Sequence, residues 1–215
     1  MILYEDSRQQ IHHGDKHTTK HQWWAEHGVT VERRKLDFGD YATDTSNIVV
    51  DTKRNVAEIA QNINGAKEHA RFRRECERAR NAGYRLVTLV ENDEGVLNLD
   101  TLQSWTNQHC RYCKHYRKSE CDPHDAGKCI QHNTNKPIQG ERLARAMATM
   151  SSKYGVRFNF CKPEDAAFYI CSLLGVQWLA LCKDCYMHHD GVCTFGNDEK
   201  DVNGLDRMCD WGCPF

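Results

Sequence analysis

The sequence predicts an α/β protein built around one central sheet, and three observations support this. Short apolar or β-branched segments alternate with segments of helical periodicity along most of the chain. Residues 84–92 (YRLVTLVEN) are apolar almost throughout, as expected for a strand that is covered on both faces. The chain has 215 residues, which is enough for one sizeable domain with appendages or for two small ones.

Local signals define the elements in order. A strand over 1–6 (MILYED) leads through a polar, His-rich loop into a helix over 19–28, with Thr18 or Thr19 as its cap and Gly28 as its end. Alternating and β-branched patterns predict strands, and 3.6-residue periodicity predicts helices, in the rest of the chain. The further strands are 29–36, 47–53, 84–92 and 156–161, and the further helices are 55–83, 138–155 and 163–175.

Two of these helices carry specific boundary signals. Asn64-Gly65 lies inside the long helical region and predicts an interruption or kink there. Pro163 followed by Glu164 is typical of a helix start.

Two segments interrupt this alternation and predict separate modules. Residues 98–136 lie between a strand and a helix, and residues 178–215 follow the last helix. Both are polar and rich in cysteine, with little periodicity. We therefore predict a core of residues 1–97 and 137–177, an inserted module over 98–136 and a C-terminal module over 178–215.

Nine of the twelve cysteines fall in these two modules, and both clusters open with Cys-x2-Cys-x7-Cys. Clustered thiols in a reducing compartment more often bind metal than form disulfides, and a loop-rich module gains stability from a structural ion. Reduced thiols in loops or adventitious disulfides are the alternative, and a redox role is less favoured because neither pair sits on a strand-to-helix turn. We expect two structural Zn²⁺ sites, with Cys213 spare; their ligands are Cys110, Cys113, Cys121 and Cys129, and Cys182, Cys185, Cys193 and Cys209.

Composition restricts the function classes. Net charge is −1, which does not favour a general polyanion binder, so nucleic-acid contacts would need local basic faces. No apolar run approaches the roughly 18 residues that a membrane span needs, and the first residues lack a signal-peptide pattern. We therefore expect a cytoplasmic protein with no membrane partner.

Carboxylates and one lysine stand at the tips of predicted strands. Asp40 follows a glycine turn, Asp51 ends the apolar strand NIVV eleven positions later, and Lys53 shares a strand face with Asp51. Carboxylates hold Mg²⁺ or Mn²⁺, and a nearby ammonium orients water and stabilises charge on a phosphate. This spacing is the pattern of PD-(D/E)xK phosphodiester hydrolases, although surface charges on a hairpin would give the same letters.

The wider sequence resembles the XPF-type branch of that superfamily, which has a restriction-endonuclease-like mixed sheet flanked by helices. The resemblance lies in YEDSRQQ, GVTVERRKLDFGDY and IVVDTKR, in the helix and strand that follow, and in a closing helix–strand–helix; it covers about 1–95 and 137–176. It implies a metal-dependent endonuclease in which Asp6 is a further metal or water-bridged ligand and Arg8 contacts phosphate or orients an acid. The chain also resembles compact nucleases of this type that bacteriophages carry.

The chain departs from that family's pattern in four places. Its Glu-Arg-Lys signature is Asp-Thr-Lys here, Gln9 replaces a glutamate, and Ala57 stands where an acid is usual. The following helix carries EHARFRRE over 68–75 in place of the usual Gly-Arg-x3-Gln pattern. These changes concern the outer part of the site and substrate choice more than the metal ligands. No helix-hairpin-helix pair follows, so a preference for branched DNA is not implied.

Basic residues suggest where DNA would lie. A stripe on the long helix and a basic patch in the inserted module are candidates, although the stripe is equally consistent with a solvated face balanced by glutamates. The alternatives to a nuclease are a non-catalytic nucleic-acid-binding zinc protein and a zinc-stabilised adaptor, and homodimerisation is plausible. The candidate DNA contacts are Lys67, Arg71, Arg74, Arg78, Arg111 and Lys114.

Overall fold

The structure is a computed structural model of the chain. It describes residues 1–9, 16–125 and 127–179, and the backbone of three short strands in the C-terminal segment. These strands, β7 (His188–His189), β8 (Val192–Cys193) and β9 (Lys200–Asp201), pair in antiparallel fashion. The part of the chain that the structure describes contains no helix long and apolar enough to cross a membrane.

A mixed six-stranded sheet forms the centre, as the sequence predicts. The strand order is β2-β1-β3-β4-β5-β6, with β3 antiparallel to both neighbours and the other pairs parallel. The parallel pairs require crossover connections, and helices supply them between β1 and β2, β4 and β5, and β5 and β6. The strands are β1 (Ile2–Asp6), β2 (Thr30–Arg34), β3 (Tyr41–Ala42), β4 (Ile48–Lys53), β5 (Arg85–Glu91) and β6 (Arg157–Cys161).

Helices cover both faces of the sheet and divide the core into two apolar clusters. One cluster contains Phe72 and Met147 and packs one face against α2, α3 and α7; the other contains Trp24 and Ile170 and packs the opposite face against α1 and α8. The main helices are α1 (Lys16–Glu26), α2 (Val56–Asn64), α3 (Ala66–Asn81), α7 (Gly140–Tyr154) and α8 (Ala166–Leu174), with a 3-10 turn over Pro163–Asp165. This burial on both faces explains why β5 is apolar along its length.

The predicted interruption at Asn64-Gly65 is confirmed. Gly65 has an extended backbone (φ −75°, ψ 129°) and separates α2 from α3. A Cβ there would lie 2.8 Å from the carbonyl oxygen of Gln61, so the break requires glycine.

The predicted start of α1 is wrong. The helix begins at Lys16, before Thr18, so the later part of the His-rich segment is helical and not a loop. Trp24 on this helix is fully buried, as a core role requires.

The inserted segment contains three four-residue helices: α4 (Leu99–Leu102), α5 (Gln108–Arg111) and α6 (Lys114–Arg117). It docks onto the start of α7, where Gly140 N donates to the carbonyl of Trp105 at 2.9 Å. A Cβ at Gly140 would lie 1.9 Å from the carbonyl oxygen of Leu102, so only glycine permits this close approach.

Candidate active site

A cleft of about 1030 Å³ opens at the edge of the sheet where β1, β4 and β5 end. Parallel strands bring their carboxyl ends to one edge, so residues far apart in sequence meet there. The side chains predicted at the strand tips line this cleft. Its full set of lining residues is Asp6, Arg8, Gln9, His17, Lys20, Asp37, Gly39, Asp40, Asp51, Thr52, Lys53, Arg54, Asn55, Glu58, Arg71, Arg74, Glu75, Arg78 and Glu91.

Asp40 is held in place by the strand beside it. Its backbone N donates to the carbonyl of Val50 at 2.7 Å, because the chain re-enters the sheet there. Its Oδ2 accepts hydrogen bonds from Thr52 N at 2.8 Å and from Thr52 Oγ1 at 2.6 Å. These bonds leave Oδ1 as the oxygen that can take another ligand.

Asp51 and Lys53 form a buried pair on the same face of β4. Lys53 Nζ donates to Asp51 Oδ1 at 2.6 Å, whereas Asp51 Oδ2 is buried and has no hydrogen-bond partner among the residues that the structure describes. Burial raises the pKa of Asp51 to about 7, and the negative charges of Asp40 and Glu75 add to the effect against the attraction of Lys53. Burial alone would lower the pKa of Lys53, but the carboxylates of Asp51, Asp40 and Glu58 together outweigh it and the pKa is raised.

Asp6 at the end of β1 binds the guanidinium of Arg8. Arg8 Nε donates to both Asp6 oxygens at 3.1 and 2.8 Å, and Nη2 lies 2.6 Å from Asp6 Oδ2. Arg8 Nη2 also donates to the carbonyl of Leu36 at 2.6 Å, which fixes the plane of the guanidinium. Burial alone would raise the pKa of Asp6, but the hydrogen bonds from Arg8 lower it.

A family model described as the ERCC4 domain matches residues 6–173, a span that contains every residue lining the cleft. The chain belongs to the ERCC4 domain family. This is the XPF nuclease family, so the XPF-type resemblance is confirmed at the level of family.

Among solved structures, the chain is similar to XPF from Aeropyrum pernix, with 19% identity and a TM-score of 0.47. The match covers 81% of this chain and 66% of that chain, so this chain spans just under two thirds of the archaeal protein. No curated protein matches. The family assignment therefore rests on the sequence match to the ERCC4 domain.

Glu75 belongs to the site of this ERCC4 domain, although sequence reasoning treated it only as a partner for helix arginines. From α3 its Oε1 accepts the backbone N–H of Gly39 at 3.2 Å, and its charge contributes to the raised pKa of Asp51. It thus ties the helix to the glycine turn before Asp40. The signal that could have found it is its helix-face position between Arg71, Arg74 and Arg78.

Lys20 and Glu91 form a second buried pair that sequence reasoning did not find. Lys20 Nζ lies 2.5 Å from Glu91 Oε1, and both side chains are almost completely buried at the cleft wall. Lys20 is therefore fixed by a pair within the fold. The available sequence signal was Glu91, an acid at the end of the otherwise apolar strand β5.

The predicted basic stripe is divided by the structure. Arg71, Arg74 and Arg78 line the cleft, whereas Lys67 does not. In the inserted segment, Lys114 lines a second cavity of about 1040 Å³, and Arg111 pairs with Glu94 at 3.3 Å. The two cavities share Arg54, Asn55 and Glu58, so one continuous surface joins them.

The four cysteines of the insertion, Cys110, Cys113, Cys121 and Cys129, all line this second cavity. No three of their described sulfur atoms lie within 4.8 Å of one another. Gln139 Nε2 donates to Cys110 Sγ at 3.3 Å, and Cys113 Sγ donates to Gln131 Oε1 at 3.3 Å. The structure thus gathers these thiols at one cavity, and the zinc site stays a prediction.

The predicted second zinc site lies outside the described residues. Cys182, Cys185 and Cys209 are not described, and Cys193 is described only as backbone in β8.

Proposed function

We propose that the chain is a divalent-metal-dependent DNA endonuclease in which Asp40 and Asp51 hold Mg²⁺ or Mn²⁺ beside Lys53. The observation that carries this proposal is the buried Oδ2 of Asp51, which has no hydrogen-bond partner in the described part of the chain. A buried carboxylate oxygen without a partner is costly unless a cation or a proton occupies the position it faces. Asp40 Oδ1, left outside the bonds to Thr52, supplies a second hard oxygen ligand of the kind these ions prefer.

Asp6 fits a supporting role better than that of a direct ligand. Both its oxygens accept hydrogen bonds from Arg8, and Oδ1 also accepts the N–H of Leu36 at 3.4 Å. The carboxylates of Asp6, Asp40 and Asp51 do not form a group within 4.8 Å among the described residues. We therefore assign the ion to Asp40 and Asp51, and Asp6 would act through Arg8 or through a water molecule.

Each side chain then has a defined part in phosphodiester hydrolysis. When bound, the ion polarises the phosphate and lowers the pKa of an attacking water. Lys53, fixed by Asp51, presents its ammonium to the water or to the charge that develops on the phosphate. Arg8, anchored by Asp6 and 58% exposed, offers its remaining guanidinium donors to a phosphate oxygen.

The DNA backbone would follow the positive side of the continuous surface. Arg71, Arg74 and Arg78 on α3 face the cleft, and Arg54 stands where the cleft meets the second cavity. Such contacts read phosphates and not bases, so affinity should depend strongly on salt. The cavity lined by the cysteines then extends the path, and zinc bound there would fix the shape of its wall.

The test is cleavage of end-labelled DNA by the full chain and by an Asp51→Asn variant. Single-stranded, duplex, flap and four-way DNA are incubated with Mg²⁺, with Mn²⁺ or with EDTA. Asp100→Asn, an exposed acid of the inserted segment, is the matched control for removing one carboxylate.

The outcomes distinguish the nuclease from its two alternatives. Ion-dependent cutting by the wild type and by Asp100→Asn, but not by Asp51→Asn, supports the nuclease. DNA binding without cutting by any form indicates the non-catalytic alternative. Neither binding nor cutting indicates the adaptor.

A further inference from the structure

A second group of metal-type ligands lies on the opposite face of the sheet from Asp6. Neighbouring residues of a strand point to opposite faces, so Glu5 of β1 points toward α1. Its side chain is fully buried, and it contacts His17 and His21, which lie one helical turn apart on α1. Among the residues that the structure describes, these three form the one group of His, Cys, Asp or Glu whose ligand atoms all lie within 4.8 Å of one another.

The distances suit coordination better than charge-assisted hydrogen bonding. His17 Nδ1 lies 3.3 Å from Glu5 Oε1, and His21 Nε2 lies 3.2 Å from both Glu5 oxygens. Charge-assisted N–H···O bonds are usually about 2.7–2.9 Å long. Ligand atoms at about 2.0–2.1 Å from a tetrahedral Zn²⁺ are separated by about 3.3 Å.

We propose that Glu5, His17 and His21 bind one transition-metal ion of the Zn²⁺ type, at a site separate from Asp40 and Asp51. Two imidazole nitrogens and one carboxylate oxygen are a ligand set that Zn²⁺ accepts, and Mg²⁺ does not favour imidazole. Three protein ligands leave a fourth position for water. His17 also lines the cleft, which gives the ion a route from solvent.

The surroundings hold Glu5 in the orientation that the site needs. Tyr41 Oη donates to Glu5 Oε1 at 3.3 Å, and Arg33 Nε lies 3.2 Å from Oε2. Arg33 is itself held by the carbonyls of Ser7 and Gln9, at 3.3 and 2.6 Å. Such outer contacts fix a ligating carboxylate, and the positive charge of Arg33 sets an upper limit on the affinity.

The cysteine clusters would also bind zinc, so the experiment uses Co²⁺, which distinguishes the ligands by spectrum. Thiolate-bound Co²⁺ gives a sulfur-to-metal charge-transfer band in the near ultraviolet, and Co²⁺ on imidazole and carboxylate does not. The metal-stripped full chain is titrated with Co²⁺ and bound metal is counted after gel filtration. The double variant His17→Gln, His21→Gln is compared with His69→Gln, a histidine of α3 outside the group.

The expected result is the loss of one Co²⁺ per chain in the double variant, with the charge-transfer band unchanged, while His69→Gln retains the wild-type count. Equal metal counts in all three proteins would overturn the proposal. If the double variant does not fold, ¹⁵N-histidine spectra of the wild type decide: Zn²⁺ must shift His17 Nδ1 and His21 Nε2, and unchanged resonances would also overturn it.

Discussion

Removing the charge of Asp51 should change how stability depends on pH when no divalent ion is present. Asp51 has a pKa of about 7 in the folded chain against an ordinary value of 3.8, because it is buried beside Asp40 and Glu75. Between these two values the folded chain holds a proton that the unfolded chain has released. Stability must therefore fall as pH rises through this window and become constant above about pH 7.

The magnitude follows from the shift. A displacement of about three pKa units corresponds to roughly 4 kcal/mol across the whole window. Between about pH 5 and about pH 8, the contribution of this one group falls by about 2.5 kcal/mol. Asp51→Asn lacks the titrating group but keeps an oxygen that can accept the hydrogen bond of Lys53. Its free energy of unfolding should therefore lack this part of the dependence on pH.

The assay is urea unfolding in EDTA at several pH values, with wild type and Asp51→Asn side by side. Subtracting the two curves cancels the histidines and cysteines that titrate in both proteins. The free energy of unfolding of the wild type should fall, relative to the variant, by about 2.5 kcal/mol over this range. Adding Mg²⁺ at pH 8 should restore stability to the wild type and not to the variant.

A flat difference between the two proteins would refute the reasoning. It would mean that Asp51 is ionised throughout, at an ordinary pKa, and that its buried oxygen is satisfied without a proton or an ion. Asp100→Asn serves again as the control, because an exposed acid should leave the slope unchanged.

Three further substitutions test single contacts. Arg8→Lys keeps the charge but cannot repeat the paired bonds to Asp6. Cleavage should therefore fall at least about tenfold, while the melting temperature stays within a few degrees. Unchanged cleavage would show that Arg8 has no role in the reaction. Gly140→Ala places a Cβ 1.9 Å from the carbonyl of Leu102, so calorimetry should show a loss of about 3 kcal/mol or more. Asn55→Ala removes the cap of α2 and should cost about 1 kcal/mol in urea unfolding.

Much of the fold could be predicted because each strand carries its own signal. The apolar run of β5, the β-branched run of β4 and the glycine break at Gly65 are local patterns whose physical meaning does not depend on the rest of the chain. The start of α1 at Lys16 was missed because the sequence offers several residues of the capping type: Asp15 directly precedes Lys16, and Thr18 and Thr19 follow it. Packing of Trp24 into the core decides where this helix lies.

The candidate site was partly visible for a similar reason. Asp40, Asp51 and Lys53 lie close in sequence, and strand periodicity alone places Asp51 and Lys53 on one face. Glu75, and the pair of Lys20 with Glu91, depend on the packing of helices against the sheet. The sequence shows these charged residues at the end of a strand or on a helix face, but it does not show which residue 36 or 71 positions away each of them contacts.

The end of β1 links the two proposed metal sites. Glu5 and Asp6 are neighbours, one facing α1 and the other facing the cleft, and each is bound to an arginine: Arg33 and Arg8. β2 pairs with β1 in parallel register, so Glu5 lies directly opposite Arg33. An ion held by Glu5 and two residues of α1 would restrain this strand end and, through Asp6, the guanidinium of Arg8. Zn²⁺ bound by Glu5, His17 and His21 should therefore change how tightly the cleft holds a phosphate, even though this ion does not touch the substrate.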